Sequence, residues 1–450
     1  MSDAHPSIHP AGPSRAAAHA ARSHFAGSTA WRRFGSGETG ARRAAFAAAL
    51  AVLVAVAALP ASVRADAAGS SSVGWSVRAD ATGSLPALTP AAVASPVTFT
   101  PTLTARLTAT LAHLRVEYHL PGLQVAVRFP NGTAWLGHAG FGDLAAHQVL
   151  GNLTLFEAGS ITKTFVAALT LQLAAQGVIS LQDPISRWLP GLPYDTGITV
   201  LELLDHTSGV DDPFNHLPLL DAVAANPRGV WTPDEVLAYV KKTLFPPGTD
   251  YAYSNSDYLL LGQLIERATG QSLASLLRQR FFGPLQLNHT FLQSEEPIVG
   301  VAAHGYDFTS RTTSTVKDLS DGTRYVPYTS IATSIGSAGA LVTTADDLAR
   351  WALYLYRGKV LPPASLAQML DFGLTSAYHP PLPYGLGVER RSLSGYGSWG
   401  HDGALDGFRA AMRYFPGAGG VSIVVMANAD RVNPDVLVRA FLDVCYPPAA

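Results

Sequence analysis

Strand-like alternation of apolar and polar residues gathers near the two ends of the folded part of this chain, and a long helical stretch lies between. Leu123 to Phe129 alternates with period two, Pro130-Asn131-Gly132 turns it, and Thr133 to Gly140 returns as a hairpin partner. Near the other end, Ser394 to Gly400, Gly407 to Phe415 and Val421 to Ala427 alternate again, the last two joined by Pro416-Gly417-Ala418-Gly419-Gly420. Helical spacing marks Leu103 to Tyr118, a segment opening at Ser160 and closed by Gly177, Asp257 to Thr269, and a closing helix over Pro434 to Cys445. This order predicts an α+β fold. One antiparallel sheet is built from both termini and flanked by helices, and a mostly helical subdomain is inserted into it. The α/β part is expected at about 99–162 and 391–450, and the helical part at about 163–390.

The 450 residues suffice for a full core. Charged residues are 14 % and the formal net charge is −2, so no basic field is present to hold a nucleic acid. The N-terminal segment has another character. Up to Arg43 it is rich in Ala, Gly, Ser, Arg and His and reads as disordered. Residues 44–63 then carry no charge, directly after Arg42-Arg43 and ahead of Ala65-Asp66-Ala67. A basic flank, an apolar run and a small-residue site make residues 1–67 an export signal, with a membrane anchor through 44–63 as the competing reading. An exported protein is the expectation, with residues 68–98 as a flexible linker to the body. Cys445 is the single cysteine, so no internal disulfide forms.

Three polar clusters carry chemistry. Ser160-Ile161-Thr162-Lys163 places a hydroxyl at a helix start and an amine three residues on, on the same helix face. A serine becomes a nucleophile when a nearby base takes its proton. The competing reading of Ser160 is a helix N-cap. Tyr253-Ser254-Asn255 follows a Pro/Gly loop; a phenol shuttles protons and an amide orients a lysine, whereas Ser254 or Asn255 as a cap is the plainer role. His401-Asp402-Gly403 ends the Ser394–Gly400 run, with glycines on both sides that permit close backbone approach. A tight turn with a solvated histidine is the alternative there.

Ser-x-x-Lys, Tyr-x-Asn and His-x-Gly, in that order, resemble the serine penicillin-recognising enzymes. The Tyr-x-Asn form is similar to the class C β-lactamase and D-Ala-D-Ala carboxypeptidase branch, which includes related esterases. Leu203-Leu204-Asp205-His206-Thr207-Ser208-Gly209 and Gly336-Ser337-Ala338-Gly339 carry the same likeness, which runs from about residue 101 to 450. The resemblance implies a β-lactamase/transpeptidase-like fold. It implies Ser160 as the acylated nucleophile, Lys163 as its base helped by Tyr253, and Asn255 as the group orienting Lys163 and a substrate amide. Ser160 and Ala404 N–H groups would form the oxyanion hole beside Gly403, and His401 would line the pocket and receive a substrate carboxylate or leaving group. Members of this branch that hydrolyse β-lactams carry Lys where His401 stands, and Asp402 replaces a small hydroxyl residue, adding an anion beside the site. Arg409 or Arg413 on the next strand would compensate. His206, Thr207 and Ser208 are expected to be structural.

The leading expectation is an exported serine hydrolase of carboxypeptidase-like or β-lactamase-related type. Its substrate would be a small molecule or peptide, such as a peptidoglycan stem peptide or a β-lactam. An esterase and a penicillin-binding sensor module are the alternatives. The fourteen histidines show no His-Glu-x-x-His pattern, so neither a metal nor another cofactor is expected.

Overall fold

Val421 to Ala427 is buried at every position, which places it at the centre of a sheet. In the computed structural model, which describes residues 99–194, 197–308, 315–373 and 383–447, this segment pairs on one side with the N-terminal strand and on the other with the C-terminal hairpin. We label the strands β1 (Gly122–Arg128), β2 (Ala134–Asp143), β3 (Gln148–Val149), β4 (Glu389–Leu393), β5 (Tyr396–Leu405), β6 (Phe408–Phe415) and β7 (Val421–Ala427). Their order is β3-β2-β1-β7-β6-β5-β4, antiparallel throughout. The register from Leu123 opposite Ala427 to Arg128 opposite Ser422 joins the two ends of the chain. The antiparallel sheet expected from both termini is therefore present. The export and linker readings of 1–67 and 68–98 lie outside the described residues.

Alternation along the strands divides the core in two. Val125, Val127, Ile423 and Val425 face one side, packed by Leu107, Leu111 and Leu114 of α1 (Pro101–Glu117) and by Leu437, Val438, Phe441 and Leu442 of the last helix. Ala126, Met412, Val424 and Met426 face the other side, against the helical body. Thr100 caps α1 by accepting from the Leu103 N–H, with Pro101 in the first turn where its missing N–H is not needed. The helices that matter for the site are α2 (Thr162–Ala175), α3 (Asn255–Thr269), α4 (Thr329–Gly339) and α5 (Ala345–Tyr356); α6 (Pro434–Cys445) closes the chain. No helix among the described residues is long and apolar enough to cross a membrane.

Three features depart from expectation. The helical middle holds short strands: Leu341–Thr343 and Phe291–Leu292 form a small sheet with Phe156–Glu157 from just ahead of it. Two or three residues are too few for alternation to register in sequence. The helical part also ends two residues early, because Glu389-Arg390-Arg391-Ser392-Leu393 is an edge strand, and its charged residues hide the pattern while protecting the edge. Finally, β5 continues past Gly400 to Leu405. Asp406-Gly407 is a two-residue hairpin turn with Gly407 at φ +75°, so His401 to Leu405 are still paired with β6.

Candidate active site

Ser160 sits where the small sheet meets α2. Phe156–Glu157 leads into Ala158, a 3₁₀ turn spans Gly159–Ile161, and α2 follows at once. Gly159 has φ +54°, a left-handed conformation that suits glycine. A Cβ there would lie 2.6 Å from Ala404 N, and a Cβ on Gly403 would lie 2.0 Å from Ala158 O. Strand β5 therefore rides directly on the turn that carries Ser160. This contact sets the Ala404 backbone nitrogen against the turn that carries Ser160. Neighbouring N–H groups are already engaged, Gly159 with Glu157 Oε1 at 3.2 Å and Ile161 with Ala158 O at 3.3 Å.

Lys163 is buried one turn below. Its Nζ donates to Ser160 Oγ at 3.1 Å, Asn255 Oδ1 at 2.8 Å and Ala338 O at 2.8 Å. Burial lowers its pKa to about 7, against the raising influence of Asp212, Asp257 and Glu389. Both protonation states are thus populated near neutrality. Tyr253 lies over the amine, its ring centroid 4.8 Å from Nζ. The Tyr253 hydroxyl is buried beside Ser160, and burial holds it well above the usual phenol range against the lowering influence of a hydrogen bond with Ser160. Tyr253 is consequently a phenol, not a phenolate, in the resting site.

Asn255 is the first residue of α3. Its Oδ1 accepts from Lys163, while its Nδ2 and backbone N–H both donate to Asp212 Oδ2, at 2.9 and 3.1 Å. Asp212 takes one of the two Nδ2 hydrogens, so the amide orients Lys163 and keeps a second donor. Asp212 is buried and was passed over in the sequence, although Asp before Pro213 is a turn signal. Ser254 holds the N-cap position but makes no side-chain capping bond.

His401 departs from its expected role. Its ring approaches Tyr253 at 6.2 Å between centroids, yet it is fully buried and both nitrogens are engaged. Nε2 bonds the Tyr384 hydroxyl at 3.0 Å and Nδ1 bonds Asp402 O at 2.6 Å. Burial lowers its pKa to about 4, so the ring is neutral. A closed, neutral imidazole offers no donor to a substrate carboxylate. Tyr384, absent from the sequence reading, is the residue that covers it.

Asp402 also corrects the expectation of an anion beside the site. Successive strand residues point to opposite faces, so when His401 faces the helical body Asp402 faces away. Asp402 is bonded to Arg413, which also donates to Glu389 Oε2 at 3.0 Å and to Asp435 Oδ1 of α6 at 2.9 Å. Arg409 lies opposite Ala404 and shares the Arg413 parity, with its guanidinium on Phe408 O at 2.8 Å. Neither arginine supplies a cation to the Lys163 side of the sheet.

The His206 turn is structural, as expected. His206, Thr207 and Ser208 are buried; His206 Nδ1 bonds Asp257 Oδ2 at 2.8 Å and Ser208 bonds the other oxygen of that carboxylate. The His206 ring packs at 4.4 Å on Tyr253 and steadies it from behind. Among the described residues the one grouping of metal-ligand type is Asp143, His304 and Asp318. There His304 directs Nδ1 at Asp318 (2.8 Å) and Nε2 at Asp143 (3.9 Å), an ion-pair geometry that turns the two nitrogens to different carboxylates.

Comparison with known proteins agrees with this geometry. The family described as Beta-lactamase matches residues 106–445. A D-aminopeptidase of Brucella ovis is 30 % identical over 327 residues, 72 % of this chain, and the chain spans only 59 % of that relative's length. A D-stereospecific amidohydrolase from Streptomyces sp. superposes with a TM-score of 0.65 at 29 % identity, covering 77 % of this chain and 99 % of the other. The D-amino acid amidase from Ochrobactrum anthropi SV3 complexed with D-phenylalanine gives 0.65 at 22 % identity, over 76 % and 98 %, a likeness of fold. A penicillin-binding protein from Bacillus halodurans gives 0.62 at 22 %, over 74 % and 98 %, again a likeness of fold. With its sheet joined from both termini and its serine–lysine pair under a tyrosine, the chain belongs to the β-lactamase family of serine hydrolases.

Proposed function

We propose that this protein is a D-stereospecific amide or peptide hydrolase that works through an acyl-enzyme on Ser160, on substrates whose leaving side needs no carboxylate. The observation that carries this reading is the closed and neutral His401, with Arg409 and Arg413 turned to the sheet's far face. A carboxypeptidase or a β-lactam hydrolase needs a fixed cation for the substrate carboxylate. An amidase or aminopeptidase does not, and the named relatives support that choice.

In this mechanism neutral Lys163 takes the Ser160 proton as Oγ attacks the amide carbon, and the Ser160 and Ala404 N–H groups receive the oxyanion. Collapse of the tetrahedral adduct breaks the C–N bond. The Tyr253 phenol protonates the leaving nitrogen and recovers its proton from the Lys163 ammonium beneath it. Water then repeats the sequence on the acyl-serine and releases the acid. Asn255, held by Asp212, keeps the amine aimed at Ser160 throughout. Export is carried forward as part of the proposal and is tested by locating the protein in cell fractions.

The test compares initial rates on D-phenylalanine amide, L-phenylalanine amide, a p-nitrophenyl ester and a peptide ending in D-Ala-D-Ala, for wild type and Ser160→Ala. Turnover of the D-amide above the L-amide and the peptide, lost in Ser160→Ala, supports the proposal. Preferential release of D-alanine returns the carboxypeptidase reading, ester turnover alone returns the esterase, and stable acylation without turnover returns the sensor module.

A further inference from the structure

Glu389 is a buried carboxylate with one oxygen unaccounted for. It opens β4, stands opposite Gly400 in the ladder, and is tied back to Tyr384 by a backbone bridge that closes the intervening loop. Its Oε2 accepts from Arg413 at 3.0 Å and Arg391 at 3.4 Å. Its Oε1 is buried without a hydrogen-bond partner and lies 3.8 Å from His401 Nδ1. Burial would raise its pKa, but the His401 ring whenever it is protonated, with Arg391 and Arg413, outweighs burial and holds it below the usual carboxylate range. It is therefore an anion aimed at a neutral ring.

The groups around that ring fix where its proton sits. Nδ1 faces two acceptors, Asp402 O at 2.6 Å and Glu389 Oε1 at 3.8 Å, so Nδ1 carries the hydrogen. Nε2 is then an acceptor, and the Tyr384 hydroxyl must donate to it across 3.0 Å. Tyr384 stands edge-on to Tyr253 at 6.1 Å between centroids and packs on His206 at 4.9 Å. The chain Glu389–His401–Tyr384 thus ends on the wall behind the catalytic phenol.

We propose that Glu389 is a positioning residue for the reaction: its free carboxylate oxygen stabilises the Nδ1–H form of His401, which makes Tyr384 the donor and sets the wall that holds Tyr253 over Lys163. The inference rests on Ser160, Lys163 and Tyr253 as the reacting groups. It predicts that loss of Glu389 lowers turnover and leaves substrate binding nearly unchanged. The charged or titratable groups that act on His401 are Glu389 of β4, Lys163 of α2, His206, and Arg413 from the far face of β6, with Tyr384 and Tyr253 from the adjoining loops.

The experiment begins with histidine ¹⁵N NMR of the intact wild-type protein, which reads the tautomer without any substrate. A protonated Nδ1 and bare Nε2 at His401 are expected; a protonated Nε2 overturns the proposal. Next, p-nitrophenyl acetate kinetics are measured on Glu389→Gln, His401→Gln and the double variant. A fall in kcat between about tenfold and a hundredfold at unchanged KM is expected for Glu389→Gln. The double variant should be no worse than His401→Gln, since the two act as a unit. Independent, multiplying effects overturn the proposal. Asp435→Asn removes another carboxylate from Arg413 without touching His401 and serves as the structural control. An equal loss of kcat there assigns the effect to the fold and also overturns the proposal. Because the tautomer is read without turnover, failure here is distinguishable from failure of Ser160 to acylate.

Discussion

A lysine that takes a proton from serine must be neutral for part of the time, and Lys163 meets that condition because burial lowers its pKa to about 7. The free-enzyme ascending limb of kcat/KM should therefore lie near pH 7, with the rate falling about tenfold per unit below it. Asp212 raises the Lys163 pKa, so Asp212→Asn should move that limb to lower pH while reducing the maximum rate; a pH–rate profile of both proteins checks the sign. His401 gives a stability prediction. Its folded pKa of about 4 lies below the ordinary 6.5, so between these values the unfolded chain binds more protons and stability rises with pH. This contribution is whole above pH 6.5 and is lost as pH falls through 4. Urea unfolding at several pH values should show a shallower acid loss for His401→Gln than for wild type. Ser160, Lys163, Tyr253 and Asn255 were legible in sequence because each pair lies within three residues and makes a motif. Asp212, Tyr384 and Glu389 were not, since the fold alone brings them to partners 43, 17 and 12 positions away: Asn255 for Asp212 and His401 for the other two.

At the level of elements, the site depends on β5 lying against the Ser160 turn with no side chain between. Gly403→Ala would set a Cβ 2.0 Å from Ala158 O, a backbone atom that cannot move aside cheaply. We expect destabilisation of about 3 kcal/mol or more with loss of acylation. Gly397→Ala, on the same strand, would meet nothing within 4 Å and should be tolerated; melting temperatures and acylation rates separate the two. The end strands and the closing helix could be read from alternation and spacing, and Val421–Ala427 and Pro434–Cys445 fell on the expected bounds. The edge strand Glu389–Leu393 could not, because charge masks its period. The extension of β5 had a signal, the Asp406-Gly407 dipeptide, that marks a hairpin whichever residues flank it.

For the molecule as a whole, joining the two ends of the chain in one sheet leaves each face to be covered by different helices. Phe441 of α6 is fully buried on the face away from Ser160 and packs at 5.8 Å on Trp135 of β2. Phe441→Ala should cost about 3–5 kcal/mol in urea unfolding while the acylation rate of the remaining folded protein stays near wild type. That separation would show that one face stabilises the sheet and the other reacts. The substrate was the least legible property. The motif order pointed to a terminal carboxylate, and only the packed position of His401 and the parity of Arg409 and Arg413 remove the cations that would bind it.

The central claim is an acyl-enzyme on Ser160, and intact mass after rapid acid quench tests it most directly. Wild type and Ser160→Ala are mixed briefly with the p-nitrophenyl ester of a D-amino acid, weighed and digested. The account predicts one added acyl group on the peptide holding Ser160 in wild type and none in Ser160→Ala. An adduct that persists in Ser160→Ala, or turnover by wild type with no acylated species at any quench time, would contradict it.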